Sequence, residues 1–342
     1  MRWAEMPVKP DFTIWLVTSR CNLRCSHCYT CDIAGELTEE YALKIAEDLA
    51  DFSTPVDITG GEPLLWKPLR SVIKLLKDNG IEVSVQSNLS LLDDDYAKFL
   101  SDFEVSIFTS LDGSSRRLHE KLRGLGSWDS LMDGLKLVKE FGLKFATVTT
   151  ITGINLHALT DILRLSRDLG ASYTAFIPVI PIGRAKYVHR LNINPSELLN
   201  TVTVLRDTAN SLGFEVTFWC APFLSSVGST KYFHVSDCPI YRAWDILPDG
   251  SIPLCDSLRM KVTDVKVGIS KAWKEYLASP LVKNVFSTVP EACRNCKYNA
   301  ICRGGCKARA YAVTNSFTSP DPLCTLTQSS SQRSLLVTHR RA

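Results

Sequence analysis

The cysteines are the residues of this chain best equipped for chemistry, and eleven of the twelve fall into two sets whose spacings suit iron–sulfur ligation. Cys21, Cys25 and Cys28 read C-x3-C-x2-C near the N-terminus, and Cys220, Cys238, Cys255, Cys293, Cys296, Cys302, Cys306 and Cys324 crowd the last third. Closely spaced thiolates on a loop reach three corners of an iron–sulfur cube without strain. Because the first set offers three thiolates and not four, a cluster there keeps one iron without a protein ligand, and an open iron binds a small molecule. Zinc is the rival. His27 or Cys31 would complete a four-ligand site at the first set, and two tetrahedral zinc ions would use the later eight cysteines. Structural zinc normally shows two separated ligand pairs, a pattern the first set lacks. Cys31 stands outside the iron–sulfur count and reads as a structural or incidental thiol.

Elements able to position such loops are legible upstream of about Phe218. Short β-rich runs at Phe12 to Val17, Val56 to Thr59, Glu82 to Gln86, Val105 to Ser110, Phe145 to Ile151 and Tyr173 to Ile177 alternate with amphipathic helical stretches. Thr38, Glu39 and Glu40 supply a cap and an acidic first turn for a stripe of Leu43, Ile45, Ala46, Leu49 and Ala50. Six sequential βα units predict an α/β fold, a partial (β/α)6 parallel barrel with functional loops at the C-terminal ends of its strands. The three-cysteine motif follows the first strand, where a barrel puts its chemistry. Beyond Trp219 the chain turns to short segments dense in Cys, Gly and Pro, with one helical stretch expected near Ile269 to Val285. The expected division is a barrel over 1–218, a smaller Cys-rich domain over 219–328 and a loose tail over 329–342.

Composition narrows the function classes. At 342 residues and 45% hydrophobic the chain supports a sizeable core. No signal-peptide pattern opens it, and no run approaches the roughly 18 apolar residues of a membrane helix, so a cytoplasmic protein without a membrane partner is expected. A reducing compartment also disfavours reading twelve cysteines as disulfides. The net charge of +3 is spread thinly apart from a short His339, Arg340, Arg341 tail, which gives nucleic-acid binding no support.

Ser19 to Tyr29, S-R-C-N-L-R-C-S-H-C-Y, resembles the signature of radical S-adenosylmethionine enzymes. Gly60, Gly61, Glu62 and Pro63 match that family's GGEP motif, whose resemblance implies contact with the amino group of the cofactor's methionine. Gln86, Ser87 and Asn88, then Ser110, Leu111, Asp112 and Gly113, end later strands as the corresponding family segments do, and His119 to Ser127 with Arg123 and Gly124 resembles the H-x3-R-G segment. The resemblance implies cofactor binding by Gly60, Gly61, Glu62, Pro63, Ser87, Asn88, Ser110, Asp112 and Arg123. It also implies a 4Fe-4S cluster on Cys21, Cys25 and Cys28, whose open iron chelates S-adenosylmethionine, and reductive cleavage to a 5′-deoxyadenosyl radical that takes hydrogen from a substrate carbon. For His119 and Arg123 taken singly, a solvated helix face is the plainer alternative.

The later cysteines resemble the SPASM domain: Cys238, Gly250 and Cys255 stand as C-x11-G-x4-C, and Cys293, Cys296, Cys302 and Cys306 as C-x2-C-x5-C-x3-C, followed by Cys324. That resemblance implies two auxiliary 4Fe-4S clusters, one on Cys293, Cys296, Cys302 and Cys324, the other on Cys238, Cys255 and Cys306. Seven thiolates leave one iron short. Cys220, eighteen positions before Cys238, is the candidate eighth ligand, with a buried free thiol as the alternative.

Ile182 to Ala185, Cys220 to Pro222, Gly304 to Ala310 and Asp321 to Cys324 resemble members of haem and haem d1 biosynthesis, which remodel tetrapyrrole propionates, although Ser226 stands where those members carry an Arg. The C-terminal segment is similar to peptide-maturing members as well. Only about ten residues precede the first strand, so a separate leader-peptide recognition protein is expected in that case. A ferredoxin- or flavodoxin-type reductant is implied either way. Arg184, Tyr187, His189, Arg190 and Trp219 are candidates to face substrate, and loop solvation or core packing explains them equally well. No acid or base is assigned. A non-catalytic electron-transfer protein is the reading from another class, and the concave loops with GGEP and Ser110 to Gly113 argue against it.

Overall fold

The computed structural model describes residues 7–52 and 54–327; the tail expected over 329–342, with its basic end, lies outside the described residues. The barrel runs β1 (Phe12–Thr18), α1 (Glu39–Phe52), β2 (Val56–Gly60), α2 (Leu69–Asp78), β3 (Val83–Ser87), α3 (Asp94–Asp102), β4 (Ser106–Ser110), α4 (Arg116–Arg123), α5 (Ser127–Glu140), β5 (Phe145–Ile151), α6 (Leu159–Asp168), β6 (Thr174–Pro178) and α7 (Pro195–Leu212). All six expected strands are present with ends shifted by a residue or so. Local chemistry sets the helix ends: Asp93 accepts from Tyr96 N at 2.8 Å to cap α3, and Asn194 accepts from Ser196 N at 2.9 Å to cap α7 ahead of Pro195. Gly213, at φ 61°, stops α7 in the left-handed region.

Three more strands join the sheet, β7 (Val216–Phe218), β8 (Phe233–Val235) and β9 (Ala243–Ile246), and its order is β8-β7-β6-β5-β4-β3-β2-β1-β9 with every pairing parallel. The partial barrel is therefore wider than the six strands expected. Strands of three or four residues show too little alternation to be read from sequence, and Asp245 interrupts the apolar run of β9. Both edges of the sheet come from beyond Trp219: β8 flanks β7, and β9 flanks β1 in the register Thr13↔Trp244 and Trp15↔Ile246.

The core fills the space between sheet and helices. Trp15, Val17, Ile58, Val85 and Ile107 meet Leu49, Val72, Ile73, Leu100 and Val138, all buried, each such side chain contributing about 1.5–3 kcal/mol. On the inner face of β1, Leu16 packs with Ile33 and Leu247.

The C-terminal region continues through an antiparallel hairpin, β10 (Ser251–Pro253) and β11 (Lys261–Asp264), then α8 (Ile269–Ala278), α9 (Pro280–Ser287), α10 (Asn299–Cys302) and α11 (Lys307–Thr314). The single helix expected near Ile269 to Val285 is two. Pro280 lacks the N–H a continuous helix needs and forces Ser279 into an extended conformation, φ −56° and ψ 129°. Trp244, Trp273 and Tyr276 weld this region to β1: Trp244 and Trp273 meet edge-on at 5.4 Å, Trp273 stacks on Tyr276 at 5.6 Å, and Trp244 Nε1 donates to Thr13 Oγ1 at 2.8 Å. Among the described residues no helix is long and apolar enough to cross a membrane.

Candidate active site

Parallel strands put all their C-terminal ends on one rim, and the loop leaving β1 lies there with Cys21, Cys25 and Cys28. Neighbouring loops pin it through its backbone. Gly61 N donates to Thr18 O at 2.7 Å, Glu62 N to Arg20 O at 2.8 Å, Ser26 N to Leu122 O at 2.8 Å and Arg184 N to Cys28 O at 3.0 Å. Arg184 Nε also donates to Cys25 O at 2.7 Å. Arg184, a candidate to face substrate, is thus a strut of the cysteine loop. From the C-terminal region, Arg259 donates to Tyr29 O and, at 2.6 Å, to Asp32.

The three thiols share one electrostatic neighbourhood. Burial pushes the Cys21 thiol up to about 11, with Glu62, Cys25 and Cys28 adding to the shift, and burial likewise raises Cys25 while Arg123 opposes it. Such thiols become thiolates when a metal supplies the positive charge. Among the described residues no three Cys, His, Asp or Glu side chains are disposed around a single ion. Zinc requires that convergence, whereas a four-iron cube meets each thiolate with its own iron. His27 is turned away from the zinc role: its Nε2 lies 3.4 Å from Asp112 Oδ2, and Cys31 is exposed. His27 Nδ1 is buried without a protein partner, an orphaned polar atom beside the cysteine loop that a polar cofactor would satisfy. The residues present fit a cluster with an adjoining polar ligand.

Gly60 and Gly61 are glycines for steric reasons. A Cβ on Gly60 would overlap Thr18 O and one on Gly61 would overlap Arg20 O, and Gly60 sits at φ 139°. This close approach brings the next residue, Glu62, under the cysteine loop with no exposed surface. Its carboxylate accepts from Ser87 Oγ at 2.8 Å, Asn88 N at 2.8 Å and Leu64 N at 3.1 Å. Burial pushes its pKa up and these three hydrogen bonds oppose the shift. Asn88 Nδ2 donates to Asn22 Oδ1 at 3.0 Å, tying the end of β3 to the cysteine loop. Of the residues expected to bind cofactor, Gly60, Gly61, Glu62, Ser87 and Asn88 therefore form one bonded group, and Pro63 opens the short turn that follows it.

Ser110 ends β4, buried, and fully buried Asp112 organises a second group. Arg123 Nε donates to Asp112 Oδ2 at 2.5 Å, Thr150 N donates to Asp112 Oδ1 at 2.7 Å, and Arg123 Nη1 lies 3.8 Å from Cys25 Sγ. Burial alone would raise the Asp112 carboxyl, but Arg123, His27 and His119 outweigh it and hold it below the usual carboxylate range. His119 and His27 are both lowered to about 4, chiefly by burial. His119 and Arg123 are accordingly interior groups and not a solvated helix face. The Asp112 carboxylate is committed to orienting Arg123 beside Cys25.

The C-terminal cysteines separate into two foursomes. Cys293, Cys296, Cys302 and Cys324 line one small cavity together with Phe223, Tyr298 and Gly304. Cys220, at φ 53° just after β7, lies against Cys306, and Cys238 and Cys255 are within electrostatic reach of Cys306. Arg309, 2% exposed, fastens the second foursome to the barrel. Its guanidinium donates to Pro178 O at 2.7 Å, Val179 O at 3.2 Å, Cys220 O at 3.1 Å and Asp321 Oδ2 at 2.7 Å, and Asp321 Oδ2 also accepts from Cys306 N at 2.9 Å. Gly305, at φ 89°, lets Asp321 in, because a Cβ there would overlap Asp321 Cβ.

Sequence reasoning missed one group. Asp245 on β9 is 7% exposed and accepts from Asp256 N at 2.6 Å, and Asp256 Oδ2 accepts from Tyr29 OH at 2.6 Å. Burial and the neighbouring Asp256 hold the Asp245 carboxyl well above the usual range. The available signals were Tyr29 and Asp256, each directly after a motif cysteine.

Residues 15–166 match the Radical SAM superfamily. An AdoMet-dependent heme synthase of Oleidesulfovibrio alaskensis is 26% identical over 340 residues, covering 91% of this chain and 86% of that protein. A cysteine-type anaerobic sulfatase-maturating enzyme of Clostridium novyi is 24% identical over 90% of this chain and 88% of its own length. Among solved structures, anSMEcpe with bound AdoMet and the Cp18Cys peptide superimposes with a TM-score of 0.75 at 18% identity, over 97% of this chain and 100% of that one. The chain carries a radical SAM domain and is an enzyme of that kind.

Proposed function

We propose that this radical SAM enzyme modifies the propionate side chains of an iron tetrapyrrole in a cytoplasm, with residues 1–218 carrying the radical step and most of the barrel, and residues 219–328 adding its edge strands and holding two auxiliary 4Fe-4S clusters. The observation that carries the substrate class is the charge of the strap after β6. Lys186 and Arg190 are exposed there beside exposed Tyr187 and His189, on a loop packed against the cysteine loop at the barrel mouth. Cations with an aromatic face suit a flat, carboxylate-bearing macrocycle. The nearly full-length likeness to a protein named as a heme synthase supports the same reading.

When bound, a cluster and S-adenosylmethionine would supply one-electron, hydrogen-abstracting chemistry at an unactivated carbon. Cys21, Cys25 and Cys28 hold the cluster. Glu62, oriented by Ser87 and Asn88, receives the cofactor's methionine amine at the end of β2, and Gly60 and Gly61 keep the backbone close. Asp112 holds Arg123 beside the cluster thiolates, and Ser110 with neutral His27 lines the adjoining interior. Cys293, Cys296, Cys302 and Cys324 hold one auxiliary cluster, and Cys220, Cys238, Cys255 and Cys306 the other. Electrons enter from a ferredoxin- or flavodoxin-type donor.

A second reading is favoured by the similarity to the sulfatase-maturating enzyme over nearly its whole length. In that reading the substrate is a peptide or protein side chain, presented with the help of a separate leader-recognition protein. One anaerobic experiment decides. The reconstituted chain, expected to hold about twelve irons as three four-iron clusters, is given dithionite, S-adenosylmethionine and either an iron porphyrin bearing propionates or a panel of cysteine- and serine-containing peptides. 5′-Deoxyadenosine formed together with a mass change of the porphyrin supports the tetrapyrrole reading. A mass change confined to peptide moves the assignment to the second reading, and iron without cofactor cleavage refutes both.

A further inference from the structure

The first residue of α11 poses an electrostatic problem that the barrel chemistry leaves unexplained. Lys307 is 4% exposed. Its Nζ donates to Thr288 O at 2.7 Å and Arg303 O at 2.9 Å, both uncharged acceptors, and among the described residues no carboxylate pairs with it. An ammonium taken out of water needs a counter-charge nearby, since two carbonyl dipoles do not replace a hydration shell. The groups near Lys307 that turn anionic on binding metal are cysteines. Lys307 directly follows Cys306, and its Nζ is bonded to the carbonyl of Arg303, which directly follows Cys302, so the residue links one foursome to the other; Cys238, Cys293 and Cys302 lie within its electrostatic reach, as does the Arg303 cation. Arg309, by contrast, reaches Cys306 and Cys220 of one foursome only.

Resting on the assignment of both foursomes to auxiliary clusters, we propose that Lys307 is a positioning charge between the two, raising the reduction potentials of both. Clusters ligated by four thiolates are anionic and gain further negative charge on reduction, so a fixed cation between them stabilises each reduced state. Potentials of such clusters follow local charge and hydrogen bonding. A unit charge at about 10 Å in an interior of effective dielectric about 20 shifts a one-electron equilibrium by about tenfold. The two carbonyl hydrogen bonds, to Thr288 O and Arg303 O, fix the position of the ammonium. Gly304, which lines the cavity of Cys293, Cys296, Cys302 and Cys324, lies close to the ammonium, since a Cβ built there would stand at ordinary contact distance from Nζ, 3.6 Å.

The test is an anaerobic redox titration of the full-length reconstituted enzyme, followed by electron paramagnetic resonance, with iron counted first. In Lys307→Gln, which keeps a donor and removes the charge, the reduction equilibrium of both auxiliary clusters falls about tenfold, equal to about 59 mV for a one-electron couple, while the barrel cluster keeps its potential. Lys307→Arg restores both potentials. Unchanged auxiliary potentials, or a shift at one cluster only, would overturn the proposal. Should Lys307→Gln lose iron, recovery of iron and potentials in Lys307→Arg upholds the role of charge, and loss in both variants refutes it in favour of packing. Wild-type protein lacking the auxiliary iron would refute the cluster assignment itself, an outcome distinct from unchanged potentials in a fully loaded chain.

Discussion

Asp321→Ala tests how much of the architecture hangs on the Arg309 anchor. The change removes the acceptor of Arg309 Nη1, of Cys306 N and of Leu323 N at once, and leaves a guanidinium of 2% exposure without its counter-ion. Breaking a buried pair by deleting one partner costs about 3–5 kcal/mol, and each stranded buried donor adds about 1–3 kcal/mol with incomplete additivity. The carbonyls of Pro178, Val179 and Cys220 still serve the guanidinium, which sets the expected loss at about 5 kcal/mol. With about 2.1 cal/mol/K of unfolding entropy per residue, a chain of 342 residues has about 0.7 kcal/mol/K near its midpoint, so Tm falls by about 7 °C. The assay is anaerobic calorimetry at matched iron loading. Because the cost comes mainly from an unpaired charge, the double variant Arg309→Met with Asp321→Leu regains more than half of it. A loss under about 2 °C for Asp321→Ala, or a double variant as weak as the single one at equal loading, would refute this electrostatic account.

Cys25→Ala abolishes 5′-deoxyadenosine formation while most of the iron bound by the C-terminal cysteines remains; cleavage retained in the variant rules out the assigned barrel cluster. Cys220→Ser changes the resonance spectrum or potential of one auxiliary cluster and leaves the barrel cluster untouched, and an unaltered spectrum returns Cys220 to the status of a buried thiol. Glu62→Gln turns an amide N–H2 toward donors at Ser87 or Asn88 and deletes a charge-assisted contact of about 1.5–3 kcal/mol, so S-adenosylmethionine binds about 10- to 100-fold more weakly in equilibrium dialysis. Binding within twofold of wild type would show that Glu62 serves the fold alone.

What the sequence disclosed followed from how local each signal is. The cysteine motif, the GGEP turn and six strands are short stretches whose spacing carries their meaning, and the structure brings Glu62, Ser87 and Asn88 into hydrogen bond as their positions at strand ends suggested. Contacts made across long separations were not legible. Nothing near Asp245 announces that it meets Asp256, and nothing near Trp244 announces Thr13, 231 residues away. Pro280 was visible and its effect on the helix is local, yet the apolar spacing on either side reads as continuous. Nothing in the sequence distinguishes Lys307 from the other basic residues of a cysteine-rich stretch, because its burial is set by contacts with Thr288 and Arg303. Arg184 has the chemistry of a substrate ligand, and only the bonds from its Nε to Cys25 O and from its backbone N to Cys28 O reveal a scaffold role.

The pairing of β9 with β1 has a consequence for how the protein is made. During synthesis β1 emerges more than 200 residues ahead of its partner, and the strand that covers its free side is completed only when Ile246 leaves the ribosome. For that interval the inner core has an uncovered hydrogen-bonding edge and an exposed Trp15 face, the kind of surface that pairs wrongly with other chains. So large a sequence separation also makes closure slow, since loop entropy must be overcome before the contact rewards it. A nascent chain stalled before β9 should therefore associate with holding chaperones, and release should coincide with the arrival of residues 243–246.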